Sequence, residues 1–283
     1  MKASKKASFL RGLCSRPPVL ISLLLILLFV CMAPFAPWIA PYKPEAIDLK
    51  ARLQGCSPEH LLGTDLLGRD TFSRIVYGSQ TALLIAVVSI LIGGVAGMLL
   101  GMLAGYFGGF VDAVIMRVTD ALMAIPQIVL ALALGVALGQ STLNLMVALG
   151  ISSVPAYIRM MRGQTLSVKE QMYVTAAKVT GLKTIRLMLT HIVPNCLSPL
   201  IVTATINLGG AIMAEASLSF LGVGIAPPTP AWGSMVSAGF AYLNTNPLLS
   251  IAPGVAIMLI VLAFNILGDG LRDMLDPRIR SNV

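Results

Sequence analysis

The residues of this sequence that could carry chemistry are few and widely separated. His60 and His191 lack the neighbours that a metalloprotease or a Ser/His catalytic site requires. No glycine-rich loop ends in Lys-Ser or Lys-Thr, so the chain has no ATPase-type nucleotide site. Asp269 has no partner aspartate inside another apolar segment, as an intramembrane aspartyl protease would need. We therefore expect a protein that is not an enzyme, with no catalytic residue, no metal site and no cofactor bound by this chain.

Glu215 is the one ionisable residue near the middle of an apolar segment. An ionisable group inside a membrane is costly, and this makes its presence informative. Glu215 either lines a translocation path or is a buried carboxyl group that is hydrogen-bonded to a neighbouring helix. The second role is favoured, because a path for bulky substrates needs no charge. An ion-coupled secondary transporter usually has more such groups, so we expect the energy for transport to come from another source.

The elements that must position these residues are membrane helices. The 283 residues are 57% hydrophobic and 11% charged, whereas soluble domains are about a quarter charged. An all-α integral membrane protein is predicted, because each span needs roughly 20 apolar residues. The apolar runs give six transmembrane helices, at about 18–38, 81–104, 114–138, 142–160, 199–222 and 251–268.

The distribution of Lys and Arg predicts the orientation. Six spans place 15 of these residues on the side of the two termini and 5 on the other side. The positive-inside rule therefore places the N- and C-termini in the cytoplasm. We divide the chain into an N-terminal part with the first span and an external segment (1–80), a core membrane domain (81–270) and a C-terminal tail (271–283). The net charge of +8 follows from this topology, and nucleic-acid binding is not expected because no basic run is interleaved with aromatics.

The second predicted span contains four glycines at four-residue spacing. Residues four apart share one helix face, and glycine on that face lets a neighbouring backbone approach closely. We expect a tightly packed helix face formed by Gly93, Gly97, Gly101 and Gly105.

The longest polar insertion in the second half of the chain is residues 159–198, which we call the basic loop. It contains six basic residues and one acid, Glu170; the basic residues are Arg159, Arg162, Lys169, Lys178, Lys183 and Arg186. Ser167-Val-Lys-Glu170 is a capping-box pattern and predicts a helix from 168 to 180. Gly181 follows where a left-handed cap is expected. A second helical run from Thr184 should end at Pro194.

Two other groups of charged residues lie near predicted helix ends. Arg117 and Asp120 are three residues apart and are predicted to pair on one helix surface. The external residues Asp65, Arg69 and Asp70 belong to Gly-Thr-Asp and Gly-Arg-Asp turns. This external segment is either a docking surface for another protein or a structural cap over the first two spans, and the sequence leaves both alternatives open.

Several segments resemble the permease subunits of binding-protein-dependent ABC importers. Thr175-Ala176-Ala177, Gly181 and Ile192-Val193-Pro194 are similar to the cytoplasmic Glu-Ala-Ala…Gly…Ile-x-Leu-Pro loop of that family, with threonine in place of the glutamate. The segments 60–78, 219–233 and 265–278 resemble the second permease subunit of dipeptide, oligopeptide and nickel importers.

This resemblance implies a type I importer permease fold in the cytoplasmic (inner) membrane of a prokaryote. It also implies four partners: a homologous permease in a heterodimer, two ATPase subunits that bind ATP-Mg, and an external substrate-binding protein. Residues 168–181 would be the coupling helix that contacts an ATPase. A di- or oligopeptide is the expected substrate, with nickel or a nickel chelate as the alternative. The alternative in class is the ion-coupled secondary transporter.

Overall fold

The computed structural model describes residues 16–275, and the regular structure in this range is helical apart from one isolated bridge between Thr64 and Asp70. A short 3₁₀ turn covers Leu49–Ala51, and a π-helical turn covers Met188–Ile192. The helices, in chain order, are α1 Pro17–Met32, α2 Ala36–Ile39, α3 Thr71–Phe107, α4 Gly109–Met123, α5 Gln127–Leu138, α6 Thr142–Lys169, α7 Met172–Val179, α8 Thr184–Leu187, α9 Val193–Phe220, α10 Trp232–Phe240 and α11 Leu248–Leu275.

Four of these helical stretches are long and apolar enough to cross a membrane. They are α3, α6, the continuous stretch Thr184–Phe220 and α11, and the bent pair α4–α5 makes a fifth if it counts as one span. Helix α1 has only 16 residues, about 24 Å. It stops at Met32 rather than at the predicted residue 38, because Pro34 and Pro37 interrupt the apolar run. The count of six spans stays a prediction.

The predicted third span is wrong as a single straight helix. Helices α4 and α5 meet at an angle of 89° across Ala124–Pro126. Pro126 causes the break, since a proline cannot donate a backbone hydrogen bond and disfavours a helical residue before it. The predicted break between the spans 114–138 and 142–160 is present, with Gly139 at φ +86° and α6 starting at Thr142.

The other predicted spans are too short, because polar residues continue the helices beyond the apolar runs. Helix α3 begins ten residues before position 81, where Asp70 accepts a hydrogen bond from the Ser73 N–H (2.7 Å) as an N-cap. The predicted boundary at residue 80 therefore falls inside α3. The segment between the predicted spans 199–222 and 251–268 contains α10, and α11 ends beyond 268, at Leu275.

The two ends of the described chain lie at the same end of the bundle. Arg16, before α1, forms an ion pair with Asp273 in the last turn of α11 (2.5 Å). The other end of α1 lies near the start of α3, where Phe29 and Ile75 share one hydrophobic cluster. The C-terminal end of α3 is therefore on the same side as Arg16 and Asp273. The basic residues of the sequence before Arg16, and Arg278 and Arg280, lie outside the described residues.

Candidate functional site

The basic loop begins as a continuation of α6 rather than as a new helix. Helix α6 runs on to Lys169, and α7 starts only at Met172. The predicted capping box at Ser167 and Glu170 is therefore wrong, because α6 continues through Ser167 and Glu170 lies at its C-cap instead of in the first turn of a new helix. The helix of the basic loop spans eight residues instead of the predicted 168–180.

Gly181 ends α7 in a Schellman motif. Its φ is +81°, its N–H donates to the Lys178 carbonyl (3.1 Å), and the Leu182 N–H donates to the Ala177 carbonyl (3.3 Å). These two hydrogen bonds satisfy carbonyl groups that the end of a helix otherwise leaves unpaired. The glycine turn therefore has the left-handed conformation that the sequence predicts.

Pro194 does not end the second helical run of the loop. The π-helical turn Met188–Ile192 precedes it, and α9 continues from Val193 to Phe220. Pro194 lies in the first turn of α9, where a missing N–H costs no helical hydrogen bond. The prediction of a stop at Pro194 is wrong for this reason.

The inner face of the basic loop is packed against the ends of α3 and α6. Val174 and Leu187 are buried and share a hydrophobic cluster with Met102 and Met161. The Lys169 ammonium group donates to the Gly105 carbonyl near the end of α3 (2.8 Å). These contacts fix α7 at the end of the bundle that also holds the two chain ends.

The outer face of the basic loop carries large apolar side chains that nothing in the described chain covers. Met172 is 88% exposed, Val179 83% and Ile185 73%. Of the motif residues, Thr175 and Ala176 are exposed, and Ala177 packs partly against the buried cluster. Thr175 also lines a cleft of about 510 Å³ together with Lys169, Glu170 and Lys178.

Two ion pairs connect the start of the basic loop to α4. Arg162 contacts both oxygens of Asp112, and Arg159 contacts Asp120 (2.7 Å). The predicted pair between Arg117 and Asp120 is therefore wrong, because Arg159 on α6 is the partner of Asp120. Both aspartates lie on α4, the helix that precedes the 89° bend.

Glycines form the contact between α3 and α6. A Cβ at Gly101 would lie 2.5 Å from the Ile158 carbonyl oxygen, and a Cβ at Gly105 would lie 2.8 Å from the Thr165 Cβ. A Cβ at Gly93 would meet the Ser153 hydroxyl oxygen, and a Cβ at Gly97 would meet the Tyr157 Cβ, both closer than at Gly101 and Gly105. The structure thus places all four glycines of the predicted face against α6.

A cavity of about 250 Å³ lies between α3, α5, α6 and α9. Its polar side chains are neutral: Ser89, Gln127, Ser152, Ser153 and Asn207. Gln127 is the first residue of α5, directly after the bend. Sequence reasoning missed this site, because serine, glutamine and asparagine in apolar helices give no spacing signal.

Glu215 is only 1% exposed and is not among the residues that line this cavity. Its Oε1 accepts a hydrogen bond from the Ser219 hydroxyl (2.7 Å), one turn later on the same helix. Ser219 Oγ in turn accepts from the Ile225 N–H (3.3 Å). The partner of the carboxyl group therefore lies on α9 itself and not on a neighbouring helix.

The external residues of the sequence prediction form a compact turn before α3. Asp70 is 3% exposed, and its two carboxylate oxygens contact the Ser73 N–H and His60 Nδ1 (3.0 Å). Asp65 and Arg69 form an ion pair (2.7 Å) with side chains 19% and 15% exposed.

The sequence matches two family models and several permeases. Residues 97–281 match the family described as binding-protein-dependent transport system inner membrane component, and residues 7–55 match the N-terminal transmembrane domain of oligopeptide transport permease C. The chain is 45% identical to the probable D,D-dipeptide transport system permease protein of Escherichia coli K12 (93% of this chain, 88% of the relative). It is 40% identical to the di/tripeptide transport system permease protein of Pseudomonas aeruginosa (92% and 88%) and 44% identical to the glutathione transport system permease protein of E. coli O6:K15:H31 (91% and 85%).

A solved structure shares the fold. It is titled as inward-facing conformations of the MetNI methionine ABC transporter, and it matches with a TM-score of 0.58 at 19% identity over 72% of this chain and 98% of that chain. The expected all-α, type I importer permease fold is confirmed, and with its four to five apolar spans the chain is a multi-pass inner membrane protein. The match over residues 97–281 and the 40–45% identity to permeases over more than nine-tenths of the sequence show that this chain belongs to the family of binding-protein-dependent transport system inner membrane components.

Proposed function

We propose that this chain is the permease subunit of an ATP-driven importer of di- or oligopeptides, and that separate subunits hydrolyse the ATP. Three relatives are named for D,D-dipeptides, for di- and tripeptides and for glutathione, all of which are small peptides. The neutral polar cavity suits such substrates, because serine, glutamine and asparagine side chains can pair with peptide N–H and C=O groups without a fixed charge. Nickel remains the alternative substrate.

The exposed apolar face of the basic loop carries the proposal. Met172 and Val179 are more than four-fifths exposed, although the opposite face of α7 is buried through Val174. A preformed helix that presents apolar side chains into a groove of a partner is a recurrent mode of protein recognition. In this proposal α7 is the coupling helix and seats in a groove of one ATPase, with Gly181 setting the direction of the chain after it.

Helix α6 would carry the motion of the ATPases into the membrane. It runs without a break from the cavity-lining Ser152 to Lys169 at the basic loop, a distance of about 26 Å. Displacement of the loop therefore displaces one wall of the cavity. Closure of the ATPase pair on ATP would rock the helices between outward- and inward-open states. A homologous permease would complete the pathway, and an external binding protein would deliver the peptide.

The test is a charge placed on the exposed face of α7. Val179→Asp should abolish co-purification of the ATPase subunits and ATP-dependent peptide uptake in proteoliposomes, while leaving the permease inserted. Ile47→Asp is the matched control, because Ile47 is also exposed (60%) but lies before the turn at the opposite end of α3. Normal ATPase binding and uptake in Val179→Asp would contradict the proposed docking.

The class of transporter is tested by removing the ATPase subunits. Uptake should stop, and it should resist an uncoupler when the ATPases are present. Uptake that persists without the ATPases and collapses with an uncoupler would instead identify an ion-coupled secondary transporter. Competition of labelled dipeptide uptake by unlabelled dipeptide but not by Ni²⁺ would separate the two substrate classes.

A further inference from the structure

A π-helical turn, Met188–Ile192, separates α8 from α9. The Val193 N–H donates to the Met188 carbonyl, five residues earlier, so the turn contains one residue more than a turn of α-helix. Pro194 accounts for its position, because in a regular α-helix the proline ring would clash with the carbonyl group of Thr190. The chain therefore carries one extra residue where the basic loop passes into α9.

The π turn lies between the basic loop and the neutral polar cavity. Leu187, Met188 and Ile192 are buried and share one hydrophobic cluster with Val174 of α7. Helix α9 continues from the turn to Asn207 in the wall of the cavity, about 21 Å further along the helix. A change in this turn therefore alters how the basic loop is placed relative to the wall that α9 forms.

The residues of the turn can fill the buried positions in two ways. Leu187 is 1% exposed and Met188 5%, whereas Leu189 is 59% exposed. If the Val193 N–H donated to the Leu189 carbonyl instead, the turn would be α-helical, and each residue before it would take the place of the residue that now precedes it. Leu189 would then take the place of Met188, and Met188 the place of Leu187. Three large apolar residues in a row thus keep the hydrophobic cluster filled in both registers.

The surroundings of the turn allow this change and connect it to α7. Leu189 is mostly exposed, so it can move without displacing buried side chains first. Residues 180–183, between α7 and α8, are not helical and can take up a shift of about 1.5 Å. Tyr173 of α7 stacks on the ring of His191 within the turn (centroids 6.4 Å apart). A displacement of α7 therefore acts directly on the turn.

We propose that the π turn is a register switch that lets the basic loop move while α9 stays in place. In the second register the turn is α-helical, and α8 is rotated by about 100° and displaced by about 1.5 Å relative to α9. Helix shifts of about this size occur in known conformational switches. Because α6 continues into the basic loop without such a turn, the loop pulls α6 and leaves α9, and the two walls of the cavity separate. Movement of the loop by the ATPases rests on the proposed function, whereas the two registers rest on the contacts of the turn.

Cysteine labelling tests the two registers in the assembled transporter. Leu187→Cys and Leu189→Cys are each treated with a maleimide in the nucleotide-free and vanadate-trapped states, and labelling at that position is read by mass spectrometry. In one state position 189 should react and position 187 should be protected, as in this structure. In the other state the reactivities should be exchanged, because Leu187 then takes the exposed place of Arg186. The same pattern in both states would overturn the proposal, whereas uptake that persists without the ATPases would contradict the proposed function instead.

A point substitution tests whether transport needs the second register. Leu189 is exposed here but buried in the second register, so Leu189→Gln should leave unfolding stability and ATPase association unchanged and slow peptide uptake by about tenfold, the cost of burying an amide without a partner. Leu189→Met should transport at the wild-type rate, because methionine fills the same apolar place. Leu197→Gln is the matched control, since Leu197 is an exposed leucine (40%) on α9 whose place does not depend on the register. Equal uptake by Leu189→Gln and Leu197→Gln would overturn the proposal.

Discussion

Arg162 on α6 holds Asp112 on α4 through both carboxylate oxygens, with Nε 2.5 Å from Oδ1 and Nη2 2.7 Å from Oδ2. The pair joins the stretch of α6 that enters the basic loop to the helix that precedes the 89° bend. Gln127, which lines the neutral polar cavity, lies on the other side of that bend. The contact is thus one physical connection between the basic loop and the wall of the cavity.

Breaking this pair should loosen the connection between α4 and α6. In a double-mutant cycle of Asp112→Asn and Arg162→Gln, we expect a coupling energy of about 1 kcal/mol, because the pair is bidentate but its side chains are 21% and 31% exposed. The free energy of unfolding in detergent is the measurement. The coupling should fall as salt rises, since partly exposed charges are screened.

Arg117 provides the control for this cycle. It lies on α4 with Asp112, and no ion pair of Arg117 occurs in the described part of the chain. Arg117→Gln combined with Asp112→Asn should therefore give additive effects. A coupling as large as that of Arg162 would show that the cycle reports general charge effects rather than the contact.

Adding a methyl group to the glycine face should separate α3 from α6. A Cβ at Gly97 would meet the Tyr157 Cβ and lie 3.0 Å from the Val154 carbonyl, which cannot move without α6. Gly97→Ala should lower the stability to unfolding by about 1–3 kcal/mol, as overpacking does elsewhere. Gly94→Ala is the matched control on the same helix, because its nearest atom is a Tyr157 ring carbon at 3.9 Å. A cost at Gly94 equal to that at Gly97 would contradict this explanation.

Features that depend on the local backbone could be predicted from the sequence. The spacing of the glycines from Gly93 to Gly105 fixes one helix face regardless of what packs on it, and the structure places that face against α6. Gly181 takes the left-handed conformation because the helix end requires a residue without a Cβ penalty. Features of this kind depend on a few neighbouring residues, so a sequence is enough to predict them.

Features that depend on tertiary contacts could not be predicted from the sequence. Trp232 falls between the predicted spans 199–222 and 251–268, but it is fully buried in a cluster with Phe29 of α1 and Ile75 of α3. Ser167 has the residue pattern of a helix start, yet the continuing α6 overrides it. Asp120 has a basic residue one turn away, but Arg159 from another helix takes its place. In each case the competing partner is distant in sequence.

Trp232 should be a main anchor of the end of the bundle where α3 starts. Its ring packs edge-on against Phe29 (centroids 5.7 Å apart), and its Nε1 donates to the Ile75 carbonyl (3.0 Å). Trp232→Phe removes the hydrogen bond and leaves a void, so we expect a loss of about 1–3 kcal/mol in the free energy of unfolding. Trp38→Phe should change little, because Trp38 is 78% exposed. Equal effects of the two substitutions would refute the anchoring role.

The role of Glu215 can be decided with an isosteric substitution. In Glu215→Gln the side-chain carbonyl can still accept from the Ser219 hydroxyl, so we expect folding and peptide uptake within about twofold of the wild type. Glu215→Leu should destabilise the protein, because Ser219 then loses its acceptor. If Glu215→Gln folds normally but abolishes uptake, the charge itself serves translocation, and the structural role is wrong.

The turn after α7 should be sensitive to a side chain for a conformational reason alone. A Cβ at Gly181 would have open space around it, but its φ of +81° is unfavourable for any residue with a side chain. Gly181→Ala should cost about 1 kcal/mol, and Gly181→Pro should abolish ATPase association and uptake, because proline cannot adopt this φ or donate to Lys178. Gly163→Ala is the control: it too has open space, but it lies inside α6 without a positive φ, so alanine there should be neutral or slightly stabilising. Uptake by Gly181→Pro at the wild-type rate would show that the shape of this turn has no part in coupling.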